Sequence, residues 1–387
     1  MAKGYKQVQE LGKVITGKTP STADNNLWDG EIPFITPTDI NGYDTFYQEC
    51  TERTISDSGV KKQKNTLLPK DSVCITCIGS TIGKSCLTKV PSITNQQINS
   101  IIPNVANDNR YILYLLRYNL PYMQMIGGGS GSGTPIISKN KFAKFKFLVE
   151  DDLPTQQKIA SILSTYDTLI ENNTKRIRLL EQMAENLYKE WFVRFRFPGH
   201  ENVEMEKGVP KNWKKGTLKD ICEFKRGKNI TSDEMSEGNV PVISAGITPS
   251  GYHNKANVKG VSVTMSSSGA NAGYISFHYS DIWAADCSFV DSQTTKYIYY
   301  VYEMLNNMRV VINNFQRGAA QPHVYPKDIN RIRLIIPEEP LVAKANEQFK
   351  KLHNEIKNLQ EQNSLLTRQR DLLLPRLMSG KLEVMVR

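Results

Sequence analysis

The chain has 387 residues, which is too long for a typical single hydrophobic core and fits two domains with connecting elements. Its net charge of +10 favours a polyanionic partner, although charge alone does not separate nucleic acid from an acidic membrane surface. No apolar run reaches the roughly 20 residues of a spanning helix, and MAKGYKQVQE lacks the apolar core of a signal peptide. We therefore expect a soluble, cytoplasmic protein without a membrane partner.

The first globular region is predicted to span residues 1–152 and to mix strands with helices. Alternating segments such as SVCITCI and FKFLV read as strands, while NRYILYLLRYNLPYMQMI reads as a helix. Cys74 and Cys77 form an isolated C-x-x-C in a strand-like run, and no second Cys or His pair follows at a zinc-site distance. The six cysteines are expected to be reduced, with buried strand positions here and no metal site.

A long helix is predicted over residues 153–197, opening at LPTQQ with a Pro near its first turn. Apolar residues recur at 4-3 spacing over four heptads, which is typical of a coiled-coil seam. The seam positions are Ile159, Leu163, Tyr166, Ile170, Asn173, Ile177, Leu180, Ala184, Leu187 and Trp191.

The second half of the chain repeats the first. After the linker FRFPGHENVEMEKGVPKNW, the segment WKKGTLKDICEFKRGK matches YKQVQELGKVITGK of the first half, GNVPVI matches GEIPFI, and VTMSSSGANAG matches CITCIGSTIG. Further along the chain, KYIYYVYEMLN matches RYILYLLRYNL, and GAAQPHVYPKDINRIRLII matches GSGTPIISKNKFAKFKFLV. A second α+β domain is therefore predicted over residues 198–338, and a repeat of this length indicates domain duplication rather than a solenoid.

A second long helix, over residues 339–387, carries the same 4-3 pattern shifted by 186 positions. If the two helices pair antiparallel with aligned ends, Asn173 meets Asn363 and Tyr166 meets Arg370. Two buried amides would then satisfy each other and fix the register. The second seam is Ala345, Phe349, Leu352, Ile356, Leu359, Asn363, Leu366, Arg370, Leu373 and Leu377.

Catalytic signatures approach their patterns and fail. GSTIGKS has three residues between its glycines where a phosphate-binding loop needs four, and the second copy lacks its Lys and Ser. NLPY resembles the NPPY-type loop of amino-methyltransferases but has Leu120 at the second position, and the nearby glycine-rich run lacks a strand-to-helix context. No grouping of nucleophile, base and acid recurs between the copies, so we expect no catalytic residues in this chain.

Polar, glycine-rich loops recur before the last strands of both copies, as GGGSGSGTPIISKNK and FQRGAAQPHVYPKD. Small residues let backbone amides approach a phosphate, cations neutralise it, and hydroxyl and amide groups suit base edges. The first copy contributes the candidate DNA-binding residues Ser80, Thr81, Lys84, Asn95, Gln96, Gln97, Ser130, Ser132, Thr134, Lys139 and Lys141. The second contributes Ser267, Ser268, Asn271, Asp286, Ser288, Gln316, Arg317, Gln321, His323 and Lys327.

These motifs give the chain a family resemblance. LPTQQKIASIL, LYKEWF and LLLPRLMSGKLEV resemble the spacer-helix segments of the specificity subunits of type I restriction-modification enzymes, and the likeness spans nearly the whole chain. The resemblance implies two target-recognition domains that each read one half of an asymmetric bipartite site in double-stranded DNA. Two antiparallel coiled-coil helices would separate them, and a 33-residue seam spans roughly 50 Å, about 15 base pairs.

The resemblance also implies partners and a cell type. Two methyltransferase subunits would bring S-adenosylmethionine and methylate adenine, and restriction subunits would add ATP- and Mg-dependent translocation and cleavage, in a bacterial or archaeal cytoplasm. This chain would itself bind no cofactor. Two rivals remain: a self-sufficient methyltransferase or nuclease, which would need an intact cofactor loop, and a protein-binding adaptor, against which the basic charge argues.

Overall fold

The computed structural model describes residues 3–41, 45–127, 135–318 and 322–385. The chain divides into two compact units, one made of Met1–Lys175 with Glu361–Arg387 and the other of Arg176–Gln360. Each unit holds one globular region with a segment of both long helices. The predicted fold class, two duplicated α+β regions with long antiparallel helices, is confirmed.

The first unit begins with a mixed globular region. Its strands are β1 (Lys3–Gln7), β2 (Gly12–Thr16), β3 (Trp28–Ile35), β4 (Tyr47–Gln48), β5 (Arg53–Ile55), β6 (Val73–Thr76), β7 (Ser85–Thr88), β8 (Ile93–Thr94), β9 (Ile98–Pro103) and β10 (Lys146–Glu150). Its helices are α1 (Val8–Leu11), α2 (Asp57–Lys62), α3 (Asn109–Tyr118), α4 (Leu120–Gly127) and α5 (Lys139–Ala143). The predicted strands SVCITCI and FKFLV correspond to β6 and β10. The predicted helix is divided at Asn119 into α3 and α4.

The strands of the first unit form three sheets. One has the order β2-β9-β6-β7-β4, one has the order β5-β3-β8, and the third joins β1 to β10. Strand β3 pairs antiparallel with β5 and parallel with β8. This arrangement brings the chain after β8 to the side of the first sheet where β2 ends, because Gly17 and Lys18 bond to residues 98 and 94.

Helix α3 lies at the centre of the core of the first unit. Its apolar side chains pack with β6, β7 and β9 and with the long helix α6 (Leu153–Tyr188), whose Ile159 and Leu163 are fully buried. Asp152 caps α6, since its carboxylate accepts from the backbone N–H of Thr155 at 2.9 Å and from its hydroxyl at 2.6 Å. Cys74 and Cys77 are buried, as predicted for strand cysteines.

The second unit repeats this architecture. Its strands are β11 (Met205–Glu206), β12 (Val209–Pro210), β13 (Lys214–Thr217), β14 (Lys225–Arg226), β15 (Val240–Ile243), β16 (Gly251–His253), β17 (Ser262–Ser266), β18 (Ile275–His278), β19 (Trp283–Ala284), β20 (Cys287–Asp291) and β21 (Arg333–Ile336). Its helices are α7 (Ile298–Asn307), α8 (Arg309–Asn313), α9 (Pro326–Ile329) and α10 (Glu339–Ser379), and a π-helical turn, Lys189–Val193, follows α6. Helix α10 continues into the first unit.

The sheets of the second unit match those of the first. The order β14-β20-β17-β18 corresponds to β2-β9-β6-β7, the order β16-β15-β19 to β5-β3-β8, and the pair β13-β21 to β1-β10. The central strand β15 pairs antiparallel with β16 and parallel with β19, as β3 does with its neighbours. The duplication read from the sequence is therefore a duplication of strand pairing.

The 4-3 spacing correctly identifies the buried face of both long helices. All twenty seam residues are buried or half-buried, whereas neighbouring apolar residues outside the seam, such as Leu169 and Leu365, are largely exposed. In the first unit the helices run antiparallel, because Asp167 contacts Arg370 and Asn173 contacts Gln362.

The predicted side-chain pairs within the seam are wrong in detail. Asn173 donates to Gln362 Oε1 at 3.4 Å, and Asn363 donates to Thr174 Oγ1 at 3.4 Å, so the two amides do not bond to each other. Within the part of the chain that the structure describes, the buried side-chain carbonyl oxygen of Asn363 has no hydrogen-bond partner. Arg370 pairs with Asp167 rather than with Tyr166. The side chains of the two helices interdigitate, so each meets a residue one position away from the expected seam partner.

A buried polar contact joins each globular helix to a long helix, with the carboxylate on opposite partners in the two units. In the first unit Arg117 of α3 and Arg370 of α10 lie 3.4 Å and 2.5 Å from the carboxylate oxygens of Asp167. In the second, Glu303 of α7 lies 2.8 Å from Nε2 of His353 on α10. Position 303 follows 117, and 353 follows 167, by the same 186 residues. The buried carboxylate therefore lies on the long helix in the first unit and on the globular helix in the second.

Candidate nucleic-acid interface

The segment TNQQ, residues 94–97, connects β8 to β9 in the first unit. Asn95 and Gln97 hold each other, since Asn95 Oδ1 accepts from the Gln97 backbone N–H at 3.0 Å and its Nδ2 lies 3.3 Å from Gln97 Oε1. Gln96 is exposed, and its Oε1 accepts from the Thr19 hydroxyl at 2.5 Å. Its amide nitrogen has no hydrogen-bond partner among the described residues. The Gln96 side chain thus presents a free donor beside a tethered acceptor, the combination that pairs with adenine.

Three of the predicted residues meet at one cavity. Gln96, Gln97 and Lys139 line a space of about 240 Å³, together with Thr16, Asn99 and Ser138 among others. Ser138 also caps α5 by accepting from the Lys141 backbone N–H at 3.3 Å. The sequence therefore brings amides from one loop and a cation from another to the same place.

A glycine turn holds the second polar segment beside this cavity. Gly79 and Gly83 adopt positive φ angles of 59° and 100°, which favour glycine. The Gly79 N–H donates to Pro135 O at 2.8 Å, and the Ile137 N–H donates to Cys77 O at 2.9 Å. These two backbone hydrogen bonds hold the start of segment 135–139 against the end of β6.

The other predicted residues of the first turn have separate positions. Ser80 is exposed on the turn, while the Thr81 hydroxyl donates to Ile78 O at 2.7 Å and so closes the turn. Lys84 donates from Nζ to Pro37 O at 3.1 Å and lines a different cavity, with Thr174 and Asn363. Lys84 therefore does not join the Gln96 group. Ser130, Ser132, Thr134 and Gln321 lie outside the described residues.

In the second unit an aspartate lies in the loop equivalent to that of Gln96 and Gln97. Asp286 accepts from the Ser268 hydroxyl at 2.5 Å through one carboxylate oxygen and from Arg226 Nη2 at 2.5 Å through the other. Ser267 and Ser288 are buried, with their hydroxyl oxygens 3.4 Å apart. These two serines lie inside the core, so their hydroxyl groups are not exposed to a DNA base.

In the loop before β21, Arg317 and His323 form an isolated β-bridge that the sequence did not predict. Arg317 and His323 exchange backbone hydrogen bonds of 2.9 Å and 2.8 Å, and Arg317 Nη2 lies 3.0 Å from Asp328 Oδ2. The His323 and Tyr325 rings stack with centroids 6.0 Å apart. Lys327 lies with its Nζ 5.8 Å from the Tyr325 ring centroid. An aromatic, imidazole and cationic group therefore replaces the lysine-rich segment of the first unit.

The two interfaces share a backbone and differ in side chains. The Gly269 N–H donates to Pro322 O at 3.0 Å and the Val324 N–H to Ser267 O at 3.0 Å, which repeats the bonds of Gly79 and Ile137. On this scaffold Asn271 replaces Thr81. Gln316 is tied down, since its Nε2 donates to Ala272 O at 2.8 Å.

Sequence reasoning missed residues at the ends of the equivalent strands β2 and β14. Thr19 holds Gln96 and Arg226 holds Asp286, and each lies beside a Gly-Lys pair, Gly17-Lys18 or Gly227-Lys228. The match between YKQVQELGKVITGK and WKKGTLKDICEFKRGK already aligned these pairs and was the available signal.

Two general features of the described chain complete the geometry. No three His, Cys, Asp or Glu side chains in these residues are grouped so that they could hold a metal ion. No helix among them is long and apolar enough to cross a membrane.

Comparisons with known proteins identify the family. The family described as type I restriction modification DNA specificity domain matches residues 3–182 and 210–367. The MjaIX type I restriction enzyme specificity subunit of Methanocaldococcus jannaschii is 30% identical over 98% of this chain and 93% of its own length. The EcoR124I/EcoR124II specificity subunit of Escherichia coli is 28% identical, over 51% of this chain and 50% of its own length.

A solved structure shares the fold. The crystal structure of a type I restriction-modification S subunit from M. genitalium superposes with a TM-score of 0.63 at 17% sequence identity. The match covers 97% of this chain and 96% of that one. With the duplicated sheets, the long helices and the sequence relatives in agreement, the chain belongs to the family of type I restriction-modification DNA specificity subunits.

Proposed function

We propose that each globular region reads one half of an asymmetric, bipartite site in double-stranded DNA. The observation that supports this most directly is that both units bring the same three segments together with different side chains. These segments are the end of β2 or β14, the loop before β9 or β20, and the loop before α5 or α9. In the first unit these side chains include Gln96 and Lys139, and in the second Arg226, Asp286 and His323. Amide, guanidinium and carboxylate groups distinguish base edges, and a shared scaffold with changed side chains suits two different half-sites.

The long helices would separate the two readers and set the number of unread base pairs. We assign the recognition regions to residues 1–152 and 198–338 and the spacer segments, which contain α6 and α10, to residues 153–197 and 339–387; within them the helices end at Tyr188 and Ser379, earlier than the sequence predicted. The helices also carry exposed apolar side chains, with Leu365 60% and Leu372 55% exposed in the first unit. Such residues outside the seam suit a docking surface for a methyltransferase subunit, because they gain by leaving water on assembly.

We infer that the chain itself is non-catalytic and acts in a cytoplasmic complex. S-adenosylmethionine would be bound by two methyltransferase subunits, and ATP and Mg by restriction subunits. The names of the relatives support this division of labour, since each is a specificity subunit of a type I restriction enzyme. The sequence itself contributes no intact cofactor loop.

The decisive test is a base-resolution map of methylated adenines in cells that express this chain with its neighbouring methyltransferase. Methylation at a split asymmetric motif, absent from cells with the methyltransferase alone, is the expected result. Methylation without this chain, or at an unsplit motif, would contradict the proposal.

The Gln96→Ala variant tests the base-reading role within that experiment. Loss of one bidentate amide contact costs about 1–3 kcal/mol of discrimination, so one half-site should become degenerate while the other stays unchanged. Gln9→Ala is a matched control, because Gln9 is also an exposed glutamine of the first unit and, among the described residues, its side chain hydrogen-bonds to Gln7 alone. An equal loss of methylation on every sequence would exclude base reading by Gln96.

A further inference from the structure

The Gly-Lys pairs at the ends of β2 and β14 occupy the same place in both units. A Cβ added to Gly17 would lie 2.2 Å from the carbonyl oxygens of Thr94 and Asn95. One added to Gly227 would lie 2.4 Å and 2.6 Å from those of Ala285 and Ala284. These separations are shorter than any real Cβ contact, so each glycine permits a close backbone approach that another residue would block.

The lysine after each glycine is fixed by one equivalent hydrogen bond. The Lys18 N–H donates to Thr94 O at 2.9 Å, and the Lys228 N–H donates to Ala284 O at 2.9 Å. Both side chains are exposed, and within the described parts of the chain neither ammonium has an ion-pair partner. The carboxylate of Glu234 near Lys228 is held by Thr231, at 2.8 Å from its N–H and 3.1 Å from its hydroxyl. Two exposed ammonium groups therefore extend from equivalent positions that backbone hydrogen bonds hold in place.

Each lysine lies within two residues of a side chain that holds one of the proposed reading residues. Thr19, the next residue after Lys18, holds Gln96, while Arg226, two residues before Lys228, holds Asp286. The reading side chains differ between the units, but the lysines do not. The part of DNA that is the same at every half-site is its phosphate backbone, and phosphate contacts position a reader without carrying sequence information.

We propose that Lys18 and Lys228 are matched phosphate contacts, which seat each globular region on the DNA backbone at the same distance from its reading residues. This inference rests on the proposed DNA-reading function and adds the residues that set its orientation. A lysine that neutralises one phosphate contributes about 0.9 to the slope of log affinity against log salt concentration. Its loss therefore weakens binding by roughly five- to tenfold near 0.1 M salt, for all sequences alike.

The test uses the full chain assembled with its methyltransferase subunits and measures the dissociation constants for two duplexes across a salt series. One duplex carries the methylated motif, and the other has both half-sites scrambled. Lys18→Gln and Lys228→Gln should each lower affinity for both duplexes by the same factor and reduce the salt slope by about one. Lys13→Gln on β2 and Lys214→Gln on β13 are matched controls, since both lysines are exposed and form no ion pair within the described residues.

The outcomes separate this inference from the proposed function. An unchanged salt slope in Lys18→Gln and Lys228→Gln, or a slope reduced equally in the controls, overturns the phosphate contacts. A change in the ratio of the two dissociation constants would make the lysines base readers and also overturn them. A wild-type complex that does not distinguish the two duplexes would instead count against the proposed function, and the salt slopes would still decide whether the lysines meet phosphate.

Discussion

Removing the charge of Asp167 should destabilise the first unit more than any surface substitution on the same helix. Asp167 Oδ1 accepts from Arg370 at 2.5 Å, and Oδ2 accepts from the Tyr114 hydroxyl and lies 3.4 Å from Arg117 Nη1. The three charged side chains are 2–4% exposed. Burial, and then the charge of Asp167, raise the pKa of Tyr114, so the phenol remains protonated and donates.

The expected cost of Asp167→Asn follows from what it leaves behind. Breaking a buried ion pair by removing one partner costs about 3–5 kcal/mol, because the remaining charge is uncompensated in a poorly solvated place. Here two guanidinium groups remain. Arg117 keeps its bonds to Thr45 O at 2.9 Å and Ser85 O at 3.1 Å, and Arg370 keeps Asp371 at 3.0 Å. These partners place the expected loss nearer about 3 kcal/mol than 5.

The assay is urea unfolding at neutral pH, followed by hydrogen exchange of peptides from α3. Glu171→Gln is the matched control, because Glu171 lies one turn later on the same helix in an exposed 2.7 Å pair with Lys175. Exposed pairs of this kind contribute about 0.3–0.5 kcal/mol. A loss for Asp167→Asn within about 1 kcal/mol of the control, or no faster exchange in α3, would refute the reasoning.

Three further predictions concern pH, assembly and backbone packing. Burial lowers the pKa of His278 to about 4 from an ordinary 6.5, so the folded state disfavours the protonated ring. The stability that the neutral His278 ring gives the folded state is fully present above pH 6.5 and is lost as the pH falls toward 4. The difference in unfolding free energy between wild type and His278→Gln should therefore change by about 3 kcal/mol over this range; parallel pH curves would contradict this. Leu365→Gln with Leu372→Gln should abolish co-purification with the methyltransferase without changing the unfolding midpoint, and retained co-purification would remove the proposed docking surface. Gly17→Ala should cost about 1–3 kcal/mol by thermal unfolding, whereas Gly246→Ala, whose Cβ would come no nearer than 3.3 Å to another atom, should cost less.

Much of the fold could be predicted because its signals are periodic or repeated. The 4-3 spacing identified the buried face of both long helices even where exposed leucines such as Leu169 interrupt the polar surface. Pro154 and Pro340 marked the starts of α6 and α10 within two residues. The internal repeat then predicted equivalent strands, because two copies of one sequence pattern favour the same strand pairing.

The side-chain pairs could not be predicted from periodicity. A heptad pattern gives the face of a helix but not the offset at which side chains interdigitate, so Asn173 meets Gln362 rather than Asn363. Lys84 follows the glycine turn closely in sequence, yet its Nζ bonds to Pro37 O, because a turn between two strands reverses the chain and points neighbours to different sides. Lys18 was missed since an isolated Gly-Lys carries no chemistry until both copies are compared.

The inverted placement of the buried carboxylate constrains which residues an exchange of recognition regions must include. A graft of α7 in place of α3 would put the Glu303 carboxylate beside Asp167, so that two buried carboxylates would face Arg370. The opposite graft would bring the Arg117 guanidinium to His353, with no carboxylate from the grafted helix. Like charges in a buried place are destabilising, because each disfavours the charged form of the other. An exchange of recognition regions must therefore carry the long-helix residue with it, so the smallest unit that can be exchanged extends past residue 167 in the first half and past residue 353 in the second.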